Sequence, residues 1–290
     1  MNYFKTFVLM FALTLLLMGI GRFIGGVNGM TFALLFAFVM NFGVYWFSDK
    51  IILKMYGAKE ANEAEYSTYF KTVRNLTTKA DLPMPKLYVL KMPVPNAFAT
   101  GRNPEHSAVA VSPSLLEMLT KDEIEAVLAH ELSHIKNRDI LIATSAAAIA
   151  GAISHLAYMA QWAAMFGGMG GNRDNDRGGS NPIVFLALAI LAPLAAVVVQ
   201  LAISRSREYS ADESAARLTE RPQSLINALQ KISEGAKKNP ILNTTPSTAS
   251  LFIVNPMKES FFVNLFSTHP TLGRRIASLE KISENLISGR

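Results

Sequence analysis

The chain has no cysteine among its 290 residues, which excludes disulfides, thiolate metal ligands and cysteine nucleophiles and suits a reducing compartment. Charge is scarce as well. Asp, Glu, Lys and Arg make up 17% of the residues, whereas 50% are hydrophobic, and the mean hydropathy is +0.23. That is too greasy for a soluble protein of this length, so the chain reads as a membrane protein with a soluble part. The net charge is +6, but the basic residues are scattered among acids, with no basic stripe and no aromatic platform for bases. Nucleic acid is therefore not expected as a partner. Histidine is also rare, with five in the chain, and no internal repeat is evident.

What the chain has in abundance is long apolar runs. Four stand out, at about Thr6 to Ile24, Met30 to Phe47, Ile140 to Gly168 and Pro182 to Ile203, each near or above the roughly 20 residues that cross a bilayer as a helix. The first pair is separated by Gly25-Gly26-Val27-Asn28-Gly29, which predicts a retained hairpin rather than a cleaved signal peptide. The chain then divides into a membrane hairpin (1–47), a first soluble part (48–139), a second membrane hairpin (140–203) and a second soluble part (204–290). Of the 28 Lys and Arg residues, 25 fall in the soluble parts or at Lys5; the opposite loops hold Arg22, Arg173 and Arg177. Positive residues stay inside, so both termini and both soluble parts are expected in the cytoplasm of a multi-pass inner-membrane protein. The loop from Gly170 to Asn181 reads as an exposed linker on the far side.

The first soluble part carries His130-Glu131-Leu132-Ser133-His134. On a helix, residues four apart share a face, so His130 and His134 can grip one ion, and Glu131 can take a proton from a water beside it. This is the spacing of a zinc peptidase, with one catalytic zinc per chain. Thr120-Lys121-Asp122-Glu123 predicts a capping box that starts the helix. Upstream, Tyr66, Tyr69, Phe70, Val73 and Leu76 recur at helical spacing within Lys59 to Ala80, where Asp81-Leu82-Pro83 predicts a stop. Lys86 to Leu90 and Ser107 to Val111 are short strand candidates.

Two histidines leave zinc one protein ligand short. His155, 21 residues beyond His134, would lie about 30 Å along a continuing helix and cannot reach the same ion. Glu208, in Ser204-Arg205-Ser206-Arg207-Glu208-Tyr209-Ser210-Ala211-Asp212, returns to the same membrane surface after the fourth apolar run. If that segment is helical, Asp212 lies one turn on and can orient a ligating histidine. Spacing alone equally allows Glu208 and Asp212 to be a solvated acidic face paired with Arg205 or Arg207.

The motifs Asn96-Ala97-Phe98-Ala99-Thr100-Gly101, His130-Glu131-Leu132-Ser133-His134, Arg207-Glu208-Tyr209-Ser210-Ala211-Asp212 and His269-Pro270 stand in the order found in HtpX-type membrane zinc endopeptidases. Those are relatives of the prenyl-protein (CAAX) proteases, and the resemblance covers nearly the whole chain. It implies an α-helical membrane protein with four transmembrane helices and a zincin-like, helix-rich α+β catalytic domain. His130, His134 and Glu208 are implied as zinc ligands, Glu131 as general base, Asp212 as a partner behind a ligand and His269 as a stabiliser of the tetrahedral oxyanion. Asn96, Ala97, Phe98, Ala99 and Thr100 are implied as an edge strand for extended substrate. The implied duty is cleavage of misfolded or damaged membrane proteins, and of unfolded soluble ones, at the cytoplasmic face of the lipid bilayer. The rival readings are a prenyl-type processing protease, an intramembrane protease, and a non-catalytic zinc-binding or transport protein. Glu123, Glu125, Lys136 and Arg138 around the motif argue against burial in the bilayer, and the few polar groups in the spans argue against transport.

Overall fold

The computed structural model describes residues 2–146, 149, 205–238, 252–253 and 270–288. The apolar runs expected at 140–168 and 182–203 therefore lie outside the described residues, apart from 140–146 and 149, which are helical.

Helix α1 (Asn2–Met55) is not straight. At 1.5 Å per residue, Thr14 and Asn41 would stand about 40 Å apart on a single rod, yet Asn41 Nδ2 donates to Thr14 Oγ1 at 2.9 Å. The chain reverses at Gly26, whose φ of 61° is reached without strain by glycine. Beside the turn, Gly21 and Gly29 approach so closely that a Cβ on either would collide with the other's backbone carbonyl. The two arms run antiparallel and present Phe7, Phe11, Phe32, Phe38 and Phe42 outward, each more than half exposed. The arm Gly26–Met55 is long and apolar enough to cross a bilayer, and Thr6–Gly19 is a shorter apolar helix.

Beyond α1 the described chain forms a four-stranded sheet with helices packed on it. Strands β1 (Lys59–Glu60), β2 (Lys86–Val89), β3 (Ala97–Asn103) and β4 (His106–Val111) lie in the order β1-β2-β4-β3, so β3 is an edge. β3 runs antiparallel to β4, with Ala99 opposite Val109, and β4 runs parallel to β2. Alternation divides the faces cleanly. Ala97, Ala99, Val109, Val111 and Leu87 enter one core, whereas Phe98, Ala108 and Ala110 enter another with Ile52 and Leu53 of α1.

The first core is closed by α2 (Ser67–Ala80), α4 (Lys121–Lys136), α5 (Arg205–Thr219), α6 (Pro222–Lys238) and α7 (Leu272–Ile287), with short α3 (Pro113–Met118) at its rim. The helix expected from Lys59 begins only at Ser67, because Lys59 and Glu60 pair with β2 as β1. Its stripe is otherwise in place: Tyr69, Val73 and Leu76 are buried, and Asp81 ends it in the left-handed region. Thr120 and Glu123 form the reciprocal capping box that starts α4, and Glu123 also accepts from Lys231 of α6 at 2.8 Å.

Candidate active site

Helix α4 places His130 and His134 on one face, with Nε2 atoms 3.2 Å apart. Helix α5, packed along α4, brings Glu208 to within 3.9 Å of His130 Nε2 and 3.7 Å of His134 Nε2. One ligand atom from each of the three lies within 4.8 Å of the others, the one such group among the described residues.

The outer ring nitrogens say which atoms are free to ligate. His134 Nδ1 is 3.2 Å from both oxygens of Asp139, which requires an N–H there and leaves a lone pair on Nε2. His130 Nδ1 is 3.0 Å from Asp212 Oδ1, off the line of a hydrogen bond but close enough for the carboxylate to favour a proton on that nitrogen. Nε2 of both imidazoles and a carboxylate oxygen therefore converge on one point, where a divalent cation would displace any proton held between them. A nitrogen-and-oxygen set of this kind suits a divalent zinc ion with one position left open.

The other charges are anchored behind this front. Asp212 is fully buried and takes a two-pronged pair from Arg275 of α7, Nη2 to Oδ1 at 2.6 Å and Nε to Oδ2 at 2.8 Å. Burial alone would raise the Asp212 pKa; Arg275 and His130 outweigh it and hold it below its ordinary value. Arg275 is raised in return, chiefly by Asp212 against its own burial. Its Nη1 also donates to the Ile253 carbonyl at 3.0 Å. Burial likewise opposes charge on His134, but without a cation between the ligands Asp139, Glu208 and Glu131 push its pKa up to about 10, so a metal would bind by displacing the proton from Nε2.

Glu131 points the opposite way from the ligands' supports. Its Oε2 accepts the Ala99 N–H of β3 at 2.8 Å, which ties the carboxylate to the edge strand. Burial and nearby Glu208 raise its pKa, while the two histidines and the Ala99 amide pull it down; the net shift is upward, in the direction a general base at neutral pH requires. A cavity of about 60 Å³ opens between β3, α4, α5 and Phe252–Ile253, enough for an ion and a few waters.

Of the residues singled out in the sequence, His130, His134, Glu131, Glu208 and Asp212 meet here. Asn96, Ala97, Phe98, Ala99 and Thr100 form the start of the edge beside them, Asn96 accepting the Ile253 N–H at 3.2 Å. His269 lies outside the described residues. Three residues were not foreseen in these roles. Asp139 reaches His134 because Arg138, at φ 55°, turns the chain back at the end of α4. Arg275 is a charge set into the stripe of Leu272, Ile276, Leu279 and Ile282, and that anomaly was its one sequence signal. Arg207 lines the cavity, and its buried Nη1 has no acceptor among the described residues.

Comparison with known proteins agrees with this geometry. Residues 63–283 match Peptidase family M48. The chain is 50% identical over 279 residues to the Protease HtpX homolog of Syntrophobacter fumaroxidans, covering 96% of this chain and 99% of the relative. It is 51% identical over 283 residues to that of Thermodesulfovibrio yellowstonii, covering 98% and 99%. The solved structure of S. mikatae Ste24p shares the fold, with a TM-score of 0.51 at 20% identity over 96% of this chain and 65% of that one. The chain belongs to peptidase family M48 and is a metalloprotease of the HtpX type.

Proposed function

We propose that this protein is a membrane-bound, zinc-dependent endopeptidase that cleaves misfolded or damaged proteins at the cytoplasmic face of the inner membrane. The observation that carries the reading is the convergence of His130, His134 and Glu208 on one point, with Glu131 held beside it by the N–H of an edge strand. Zinc, when bound, would supply a Lewis acid for the scissile carbonyl and make water a stronger acid.

The chain's own groups do the rest. Glu131 accepts a proton from water and passes it to the leaving amine. Asp139 and Asp212 fix the rings of the two histidines, and Arg275 holds Asp212 in place. β3 offers backbone groups to an extended substrate, which favours broad selection by main chain over side chain. Arg207, whose Nη1 is buried without a partner among the described residues, lines the cavity and can donate to an incoming oxygen. His269 is assigned the oxyanion, at about 3 kcal/mol for one such donor.

Incubating detergent-solubilised protein with casein tests the reading. Cleavage stopped by a chelator and restored by zinc is the expected result; chelator-resistant cleavage, or none with zinc loaded, would refute it.

A further inference from the structure

The edge strand beside the site is also built into the membrane helices. Side chains on its even face make three successive contacts with them. Phe98 packs on Tyr56, ring centroids 5.3 Å apart, and on Ile52 and Leu53. Thr100 Oγ1 lies 3.1 Å from Thr144 Oγ1, in the helical segment 140–146. The Arg102 guanidinium stacks over Trp46 at 4.5 Å.

These contacts fix the direction of the strand. From Phe98 to Arg102 β3 advances about 13 Å at 3.3 Å per residue. Over the same interval its partner on α1 moves from around residue 54 back to Trp46, about 12 Å at 1.5 Å per residue. The strand therefore runs alongside the last turns of α1, toward the apolar arm. Tyr45 and Trp46, followed by Asp49 and Lys50, have the composition of a membrane–water boundary. Arg102 and the turn at Asn103 thus sit at the bilayer surface, and Ala99, whose N–H meets Glu131, stands one short strand segment away from it. Ala99 turns that N–H away from β4, and in an antiparallel ladder the same alternation turns the backbone of Ala97 and Gly101 to the edge that no described strand pairs with.

We propose that β3 receives substrate directly from the bilayer surface, so that the first bond cut lies at a short, fixed distance from the end of the substrate's membrane span. The proposal rests on the protease reading above. The distance is that from Arg102 to Ala99, about 10 Å or three extended residues. Trp46 is the positioning residue that holds the membrane end of the strand. A tail that leaves its span C-terminally would run antiparallel to β3, the more stable of the two pairings.

The test uses the full-length, zinc-loaded protein in phosphatidylcholine–phosphatidylglycerol vesicles. The substrate is a single apolar helix followed by an unstructured tail of uniform composition, with every cut mapped by mass spectrometry. Cuts should be absent from the first residues of the tail and begin abruptly about three to five residues from the bilayer boundary. Trp46→Ala should blur that onset while casein turnover in the same vesicles is unchanged, and Trp46→Tyr, which keeps a face for the guanidinium, should restore it. Cuts flush with the boundary, cuts spread along the tail with no onset, or an onset unmoved in Trp46→Ala would overturn the proposal. Should Trp46→Ala lose casein turnover too, the wild-type map alone decides. Absence of casein cleavage by the wild type would instead strike at the protease reading itself.

Discussion

At the scale of the residue, the two histidines and the glutamate between them were legible because their chemistry is local: four residues of helix bring the imidazoles together without help from the fold. Asp139 and Arg275 were not, since one depends on a left-handed turn at Arg138 and the other meets Asp212 across 63 residues of chain. Glu208→Ala should lower metal affinity and activity together, whereas Asp212→Asn should cost about 10- to 100-fold, as losses behind a ligand do; zinc titration and casein turnover on both variants separate the two. Arg275 offers a sharper contrast. Arg275→Met strands a buried carboxylate and should destabilise the protein by about 3 kcal/mol or more. Adding Asp212→Asn to it removes the stranded charge and should recover part of that loss in denaturant melts. A double variant no more stable than Arg275→Met would show that the pair does not carry the burial.

At the scale of the element, β2, β4 and the start of α4 followed from pattern and capping, β3 came from the family resemblance, and the stretch from Lys59 to Tyr66 was misplaced because β1 exists only through its pairing with β2. Propensity cannot see a partner 28 to 30 residues away. Glu123 joins the cap of α4 to Lys231 of α6, and although burial raises its pKa, Lys231 and Thr120 lower it further, leaving it below its ordinary value. A depressed carboxylate stabilises the fold above its unfolded pKa and loses that contribution as pH falls through the folded value. Glu123→Gln should therefore cost about 1–2 kcal/mol at pH 7, and the gap from wild type should close on acidification below about pH 4. Melting curves across that range check it; a gap that stays constant with pH would show that charge is not the cause.

At the scale of the whole molecule, the hydrophobic arms and the soluble sheet are one structure, since the end of α1 fills one face of the sheet and the metal-site helices fill the other. The uneven distribution of Lys and Arg predicts the orientation of that structure in the membrane. Single cysteines introduced into this cysteine-free chain near Lys59 and Lys237 should resist an impermeant reagent added outside the cell, and one near Asp174 should react; the reverse pattern would place the site on the wrong side. The central claim is narrower, that His130, His134 and Glu208 hold the metal while Glu131 does chemistry without holding it. The direct measurement is zinc content and casein turnover of Glu131→Gln in the same preparation. About one zinc per chain with cleavage abolished is the result expected; wild-type turnover, or loss of the zinc together with the activity, would contradict it.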